Sequence, residues 1–117
     1  QEFWDNFRWI LEEAINIGLD VLIETHDSTE MDIASEMKSN LIGINNRDLN
    51  DFSVDINNSL SLTSKPLDGK IYVCESGIKT RENFDYIKNN SPIRTFLVGE
   101  SLMRSNNLKE QIRTLLI

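Results

Sequence analysis

Four short apolar runs recur along this chain, each followed by a stretch of helical character, and that alternation leaves few folds open. The runs are Val21-Leu22-Ile23-Glu24-Thr25, Leu41-Ile42-Gly43-Ile44-Asn45, Lys70-Ile71-Tyr72-Val73-Cys74-Glu75 and Thr95-Phe96-Leu97-Val98. Their length and branched side chains suit buried strands. Strands alternating with helices predict a parallel sheet with right-handed crossovers, an α/β architecture.

The intervening segments support this. Phe3, Trp4, Phe7, Leu11, Ala14, Ile15 and Ile17 recur at three- and four-residue steps, predicting an amphipathic helix that Gly18 ends. Trp4 and Trp9 read as helix-packing residues. Asp27 or Ser28 caps a second helix, with Met31, Ile33, Ala34 and Met37 inward. A weak helix is expected from about Asn57 to Thr63, before Pro66. Thr80 caps another, with Phe84, Ile87 and the ring of Tyr86 inward, and a last helix carries Leu108, Ile112 and Leu115 on one stripe. Nothing divides the 117 residues into separate units.

The net charge of −7 argues against general phosphate-backbone binding to nucleic acid and against an anionic membrane surface. No apolar run reaches the roughly 18 residues of a membrane span, and no signal peptide is visible. A single cysteine, Cys74, allows neither an internal disulfide nor a cysteine metal cluster, which fits a reducing cytoplasm. Mid-strand and among apolar neighbours, it reads as core.

In parallel βα folds the chemistry collects at the carboxyl ends of the strands. Those ends here read Glu24-Thr25-His26-Asp27, Asn45-Asn46-Arg47-Asp48, Glu75-Ser76-Gly77 and Gly99-Glu100-Ser101. Glu24, inside an apolar run and on the face of Leu22, is expected to be desolvated and its pKa raised, as acid–base chemistry near neutrality requires. The alternative is a buried structural carboxylate paired with a base. Asn45 is a site residue or a turn residue. His26, the only histidine, reads as structural. Gly77 and Gly99 after the last two strands either let backbone N–H groups approach a phosphate or serve ordinary turns.

Leu41-Ile42-Gly43-Ile44-Asn45-Asn46-Arg47-Asp48-Leu49, Glu75-Ser76-Gly77-Ile78, Phe96 through Arg104, and Val21 through Asp27 closely resemble indole-3-glycerol phosphate synthase. The resemblance covers essentially the whole chain. It implies a partial (βα)8 TIM barrel: four parallel strands equivalent to the family's strands 5–8, with helices on one face. Residues 1–117 would form a C-terminal half-barrel beginning at the family's fourth helix. The family, an enzyme of tryptophan biosynthesis, decarboxylates and cyclises 1-(2-carboxyphenylamino)-1-deoxyribulose 5-phosphate without metal or organic cofactor.

By motif position, Glu24 and Asn45 resemble catalytic residues. Arg47, Ser76 and Leu97 resemble substrate contacts, Leu97 as an apolar wall. Gly77, Gly99 and Glu100 match the phosphate site. The family's essential lysines lie on strands 1 and 3, which this chain lacks, so the resemblance implies an inactive piece. The alternative is a non-catalytic phosphate-binding or self-assembling remnant. Right-handed crossovers would leave one sheet face, bearing Leu22, Leu41, Tyr72, Cys74 and Leu97, open to water. The partner expected there is a second copy or the N-terminal half-barrel.

Overall fold

The computed structural model describes residues 2–116. Helix α1 (Glu2–Asn16) leads to strand β1 (Leu22–Thr25), helix α2 (Ser28–Ser35), β2 (Leu41–Asn45), α3 (Asn57–Leu62), β3 (Ile71–Glu75), α4 (Arg81–Asn90), β4 (Thr95–Leu97), α5 (Glu100–Met103) and α6 (Leu108–Leu116). The four strands form one parallel sheet in chain order, β1-β2-β3-β4. All four expected strands and the expected helices are present. The short helix α5 is an addition, formed where the sequence reads as the tail of the last strand.

Local chemistry accounts for the boundaries. Gly18 takes φ +91° just beyond α1, where the Leu19 N–H closes onto the carbonyl of Ala14 at 3.0 Å. The Asp27 carboxylate caps α2 by accepting from the Glu30 N–H at 2.9 Å. Thr80 and Asn83 form a reciprocal capping box at the start of α4.

Register assigns the faces of the sheet. Thr25, Ile44, Cys74 and Phe96 stand level, as do Ile23, Ile42 and Tyr72. These side chains pack among Met31, Ala34, Met37, Ile87 and Ile93 from the helical layer. Ile42, Ile44, Ile87, Ile93 and Cys74 are fully buried. Each such isoleucine contributes about 1.5–3 kcal/mol of apolar burial.

The opposite face carries Leu22, Leu41 and Ile71, then Glu24, Gly43, Val73 and Thr95, then Asn45, Glu75 and Leu97. Two expected members are therefore wrong: Tyr72 and Cys74 point into the helical layer, and Ile71 and Val73 take their places. The parity of a strand decides this, and one residue of slip reverses every side chain. The margins of this face are exposed at Leu22, Ile71 and Leu97, while Val73 and Glu75 on the central strand β3 stay buried.

Three other expectations need correction. Trp9 is 64% exposed and lies outside the core cluster, whereas Trp4 packs against that cluster and meets Phe3 and Phe7 edge-on. The Tyr86 ring lies outward, its hydroxyl donating to Asn57 at 2.5 Å, because the register of α4 is set by Phe84 and Ile87. On α6 only Leu115 is buried, and Leu108 and Ile112 remain substantially exposed. No described helix is long and apolar enough to cross a membrane.

Candidate active site

At the carboxyl ends of the strands lies a cleft of about 340 Å³, lined by Glu24, Asn45, Glu75, Ser76, Gly77, Ile78, Lys79, Leu97, Val98, Gly99, Glu100 and Ser101. It gathers seven of the eight residues singled out from the sequence. The eighth, Arg47, lines a neighbouring polar cavity of about 670 Å³ and reaches the first through its ion pair to Glu100.

The desolvated carboxylate is not the expected one. The Glu24 side chain is 49% exposed, so it is not the desolvated group that its apolar run suggests. The buried carboxylate is Glu75, 5% exposed, with Oε2 lacking a hydrogen-bond partner. Burial pushes its carboxyl from the ordinary 4.5 up to about 7, and the hydrogen bond and negative charge of Glu24 act in the same direction. A group that titrates there can both give and accept a proton at neutral pH. Sequence reading passed over Glu75 because it sits in a strand-end motif valued for its serine and glycine. Strand parity relative to Asn45 was the signal that could have found it.

His26 stands behind Glu24, with Nε2 3.4 Å from one carboxylate and Nδ1 3.1 Å from Glu30. Glu30 also accepts from the His26 backbone N–H at 2.7 Å. The histidine therefore braces the β1–α2 loop, in keeping with a structural reading.

Asn45 is oriented by its neighbours. Its Oδ1 accepts from the Ser76 hydroxyl at 2.9 Å and from the Arg47 N–H at 3.0 Å, which leaves its NH2 group as the donor on the cleft side. Asn46, next along, is the buried anchor. Its Nδ2 donates to the carbonyls of Glu75 and Ser76 at 3.1 and 3.0 Å and contacts Cys74 Sγ at 3.3 Å, while its Oδ1 accepts from Ser59. The loop after β2 is thereby tied to the backbone that carries Glu75. Asn46→Ala leaves several buried groups unpaired and is expected to destabilise the chain by about 1–3 kcal/mol, measurable by urea denaturation.

Gly77 has a conformational reason to be glycine. It takes φ +90°, and a Cβ there would come within 2.7 Å of Ile56 and 2.8 Å of Val54. Gly99 has open space around it and leads directly into α5. Arg47 donates to Glu100 at 2.7 Å and to the Phe52 carbonyl at 3.2 Å, and Arg104 holds the other Glu100 oxygen at 3.0 Å. Lys79 is the one lysine lining this cleft among the described residues, and none lies within a strand. The acidic side chains of the site, Glu24, Glu75 and Glu100, thus stand with Lys79 and with the two arginines on Glu100, Arg47 and Arg104. Cys74 is sealed beneath, its thiol raised by burial.

The family model described as indole-3-glycerol phosphate synthase matches residues 5–115. Curated proteins of that name are similar over most of the chain. The one from Endomicrobium trichonymphae is 39% identical over 96% of this chain, and that from Koribacter versatilis 40% over 95%. The protein from Syntrophobacter fumaroxidans reaches 47% over 74% of the chain. The chain spans 43%, 42% and 32% of the lengths of these three relatives, so it corresponds to part of each. A sheet of four parallel strands in chain order, site residues gathered at their carboxyl ends, and a match across nearly all of its length agree: the chain belongs to the indole-3-glycerol phosphate synthase family.

Proposed function

We propose that this chain supplies one half of an active site for tryptophan biosynthesis in the cytoplasm. The reaction decarboxylates and cyclises 1-(2-carboxyphenylamino)-1-deoxyribulose 5-phosphate to indole-3-glycerol phosphate, with loss of carbon dioxide and water. The observation that carries this reading is the convergence, in one cleft, of residues from all four strand ends in a chain of this family.

The roles are those the family resemblance implies, and the geometry accords with them. Glu24, half-exposed at the cleft and backed by His26, acts on the substrate as the catalytic carboxylate. Asn45, held by Ser76, donates its amide hydrogen. Leu97, 57% exposed, offers the aromatic ring of the substrate an apolar wall. Gly77, Gly99 and the N–H of Glu100 hold the phosphate, and Arg47 exchanges its bond to Glu100 for a substrate anion. Glu75 joins this set as the group that titrates near neutrality.

Lys79 is the one lysine lining the cleft among the described residues, and Arg47 and Arg104 are both already engaged by Glu100, which leaves little free positive charge for an anionic substrate. The half therefore needs cations from its partner and does not close the ring alone. That balance also favours a lysine-bearing half-barrel over a second copy, which would bring a second Glu24–Glu75 pair into the same lumen. The exposed apolar margins of the open face suit such a partner.

The test is complementation. The purified 117-residue chain is expected to show no formation of indole-3-glycerol phosphate, and turnover is expected when a half-barrel carrying the family's first four strands is added. No turnover after the two halves are shown to associate would leave the non-catalytic, phosphate-binding alternative.

A further inference from the structure

Glu24 and Glu75 stand on strands that are not neighbours. Strand β2 lies between them, which separates their backbones by roughly 10 Å at the usual strand spacing. Register places Gly43 of β2 level with Glu24, and Glu75 one pleat further along β3 on the same face. For their carboxyl groups to meet, one side chain must cross β2 at Gly43. That is what Glu75 does. A Cβ built on Gly43 would stand 2.5 Å from Glu75 Oε1, 2.9 Å from Cδ and 3.3 Å from Oε2. No φ in the left-handed region requires glycine at this position, so the reason for it is space.

We propose that Gly43 is a positioning residue, a notch in the central strand that seats the Glu75 carboxyl across β2 so that it shares a proton with Glu24. Any side chain at this position fills the seat and drives the Glu75 carboxyl toward solvent. The consequence deepens the functional reading above and rests on it only for the chemistry: the cleft then holds a carboxyl group that exchanges a proton near neutral pH. The observed burial, the unpartnered Oε2 and the carboxyl held up to about 7 all accord with such a seat. The charged and titratable groups around the pair are His26, 3.4 Å from Glu24 in the loop after β1, Lys79 from the loop after β3, and Glu100 from α5 with its partners Arg47 and Arg104. Cys74 lies on the opposite face.

The experiment is a carbon-13 NMR titration of glutamate-labelled 117-residue chain, with Glu75→Gln used to assign the signal. A midpoint near 7 is expected for Glu75 in the native chain, and Gly43→Ala is expected to lower it by about one pH unit or more. An unchanged midpoint in a folded Gly43→Ala variant overturns the proposal, as does a native midpoint in the ordinary carboxylate range. Should Gly43→Ala fail to fold, the double variant Gly43→Ala/Glu75→Ala is expected to recover the native amide spectrum. Failure to recover would show that Gly43 serves something other than Glu75, and would equally overturn the proposal. The titration involves no turnover, so failed complementation leaves its result intact, and the reverse holds too.

Discussion

Raising the pH from about 5 to about 8 is expected to weaken the folded chain by about 2 kcal/mol, and Glu75→Gln is expected to remove most of that loss. The native Glu75 carboxyl keeps its proton up to about 7, whereas in the unfolded chain it gives the proton up near 4.5. Between those values the native state binds more protons, so stability falls as the pH rises and levels off beyond 7. Each pKa unit is worth about 1.4 kcal/mol, which puts the ceiling for the whole displacement at roughly 3–4 kcal/mol, with a smaller share falling between about pH 5 and pH 8. Part of it belongs to Glu24, whose charge and hydrogen bond help hold the proton, so the measured change should lie below that ceiling. Asp51 shifts the other way, lowered from 3.8 by its bonds to Ser53, and its effect falls at more acid pH, outside this window. Urea midpoints at the two pH values check the prediction. An equal loss in the Glu75→Gln variant would assign the dependence to other groups.

Why Glu75 escaped the sequence reading, while the strand ends did not, follows from what a sequence encodes locally. Apolar runs bounded by polar residues mark strands, and Asp27, Thr80 and Gly18 mark helix ends through their own side-chain or backbone chemistry. Those features lie within a few residues of each other and are legible. The face of a strand depends on register with its neighbours. In β3 both parities offer plausible interior residues, Tyr72 and Cys74 or Ile71 and Val73, so the choice needs the sheet. Burial of a carboxylate is likewise a tertiary property: Glu24 sits in the more apolar run yet lies on the edge strand, while Glu75 lies on a central one. Gly43 shows the same limit. As a residue it reads as a weak strand former, and only the carboxylate lying across it gives it a purpose.

Glu24→Gln in the barrel assembled from both halves is expected to cut turnover by about 10²–10⁴-fold, the usual worth of a positioned acid–base group. Glutamine keeps the shape of Glu24, yet it can neither take a proton nor carry the charge. Substrate affinity should therefore change much less than turnover, which marks an interaction made in the transition state. Leu97→Ala provides the contrast. An apolar wall shared by bound substrate and transition state is worth about 1–3 kcal/mol, so its loss should appear mainly in KM. The two glutamates are also separable. Glu24 is half-exposed, with His26 behind it, whereas the Glu75 carboxyl is sunk over Gly43 with one oxygen unpartnered. If Glu24 performs the transfer and Glu75 holds the shared proton, Glu24→Gln should lower turnover at every pH. Glu75→Gln should instead displace the pH–rate profile, because it removes the group that titrates near neutrality beside Glu24. Equal, pH-independent losses from both substitutions would mean that the pair acts as a single unit, and the separate role given to Glu24 would fall.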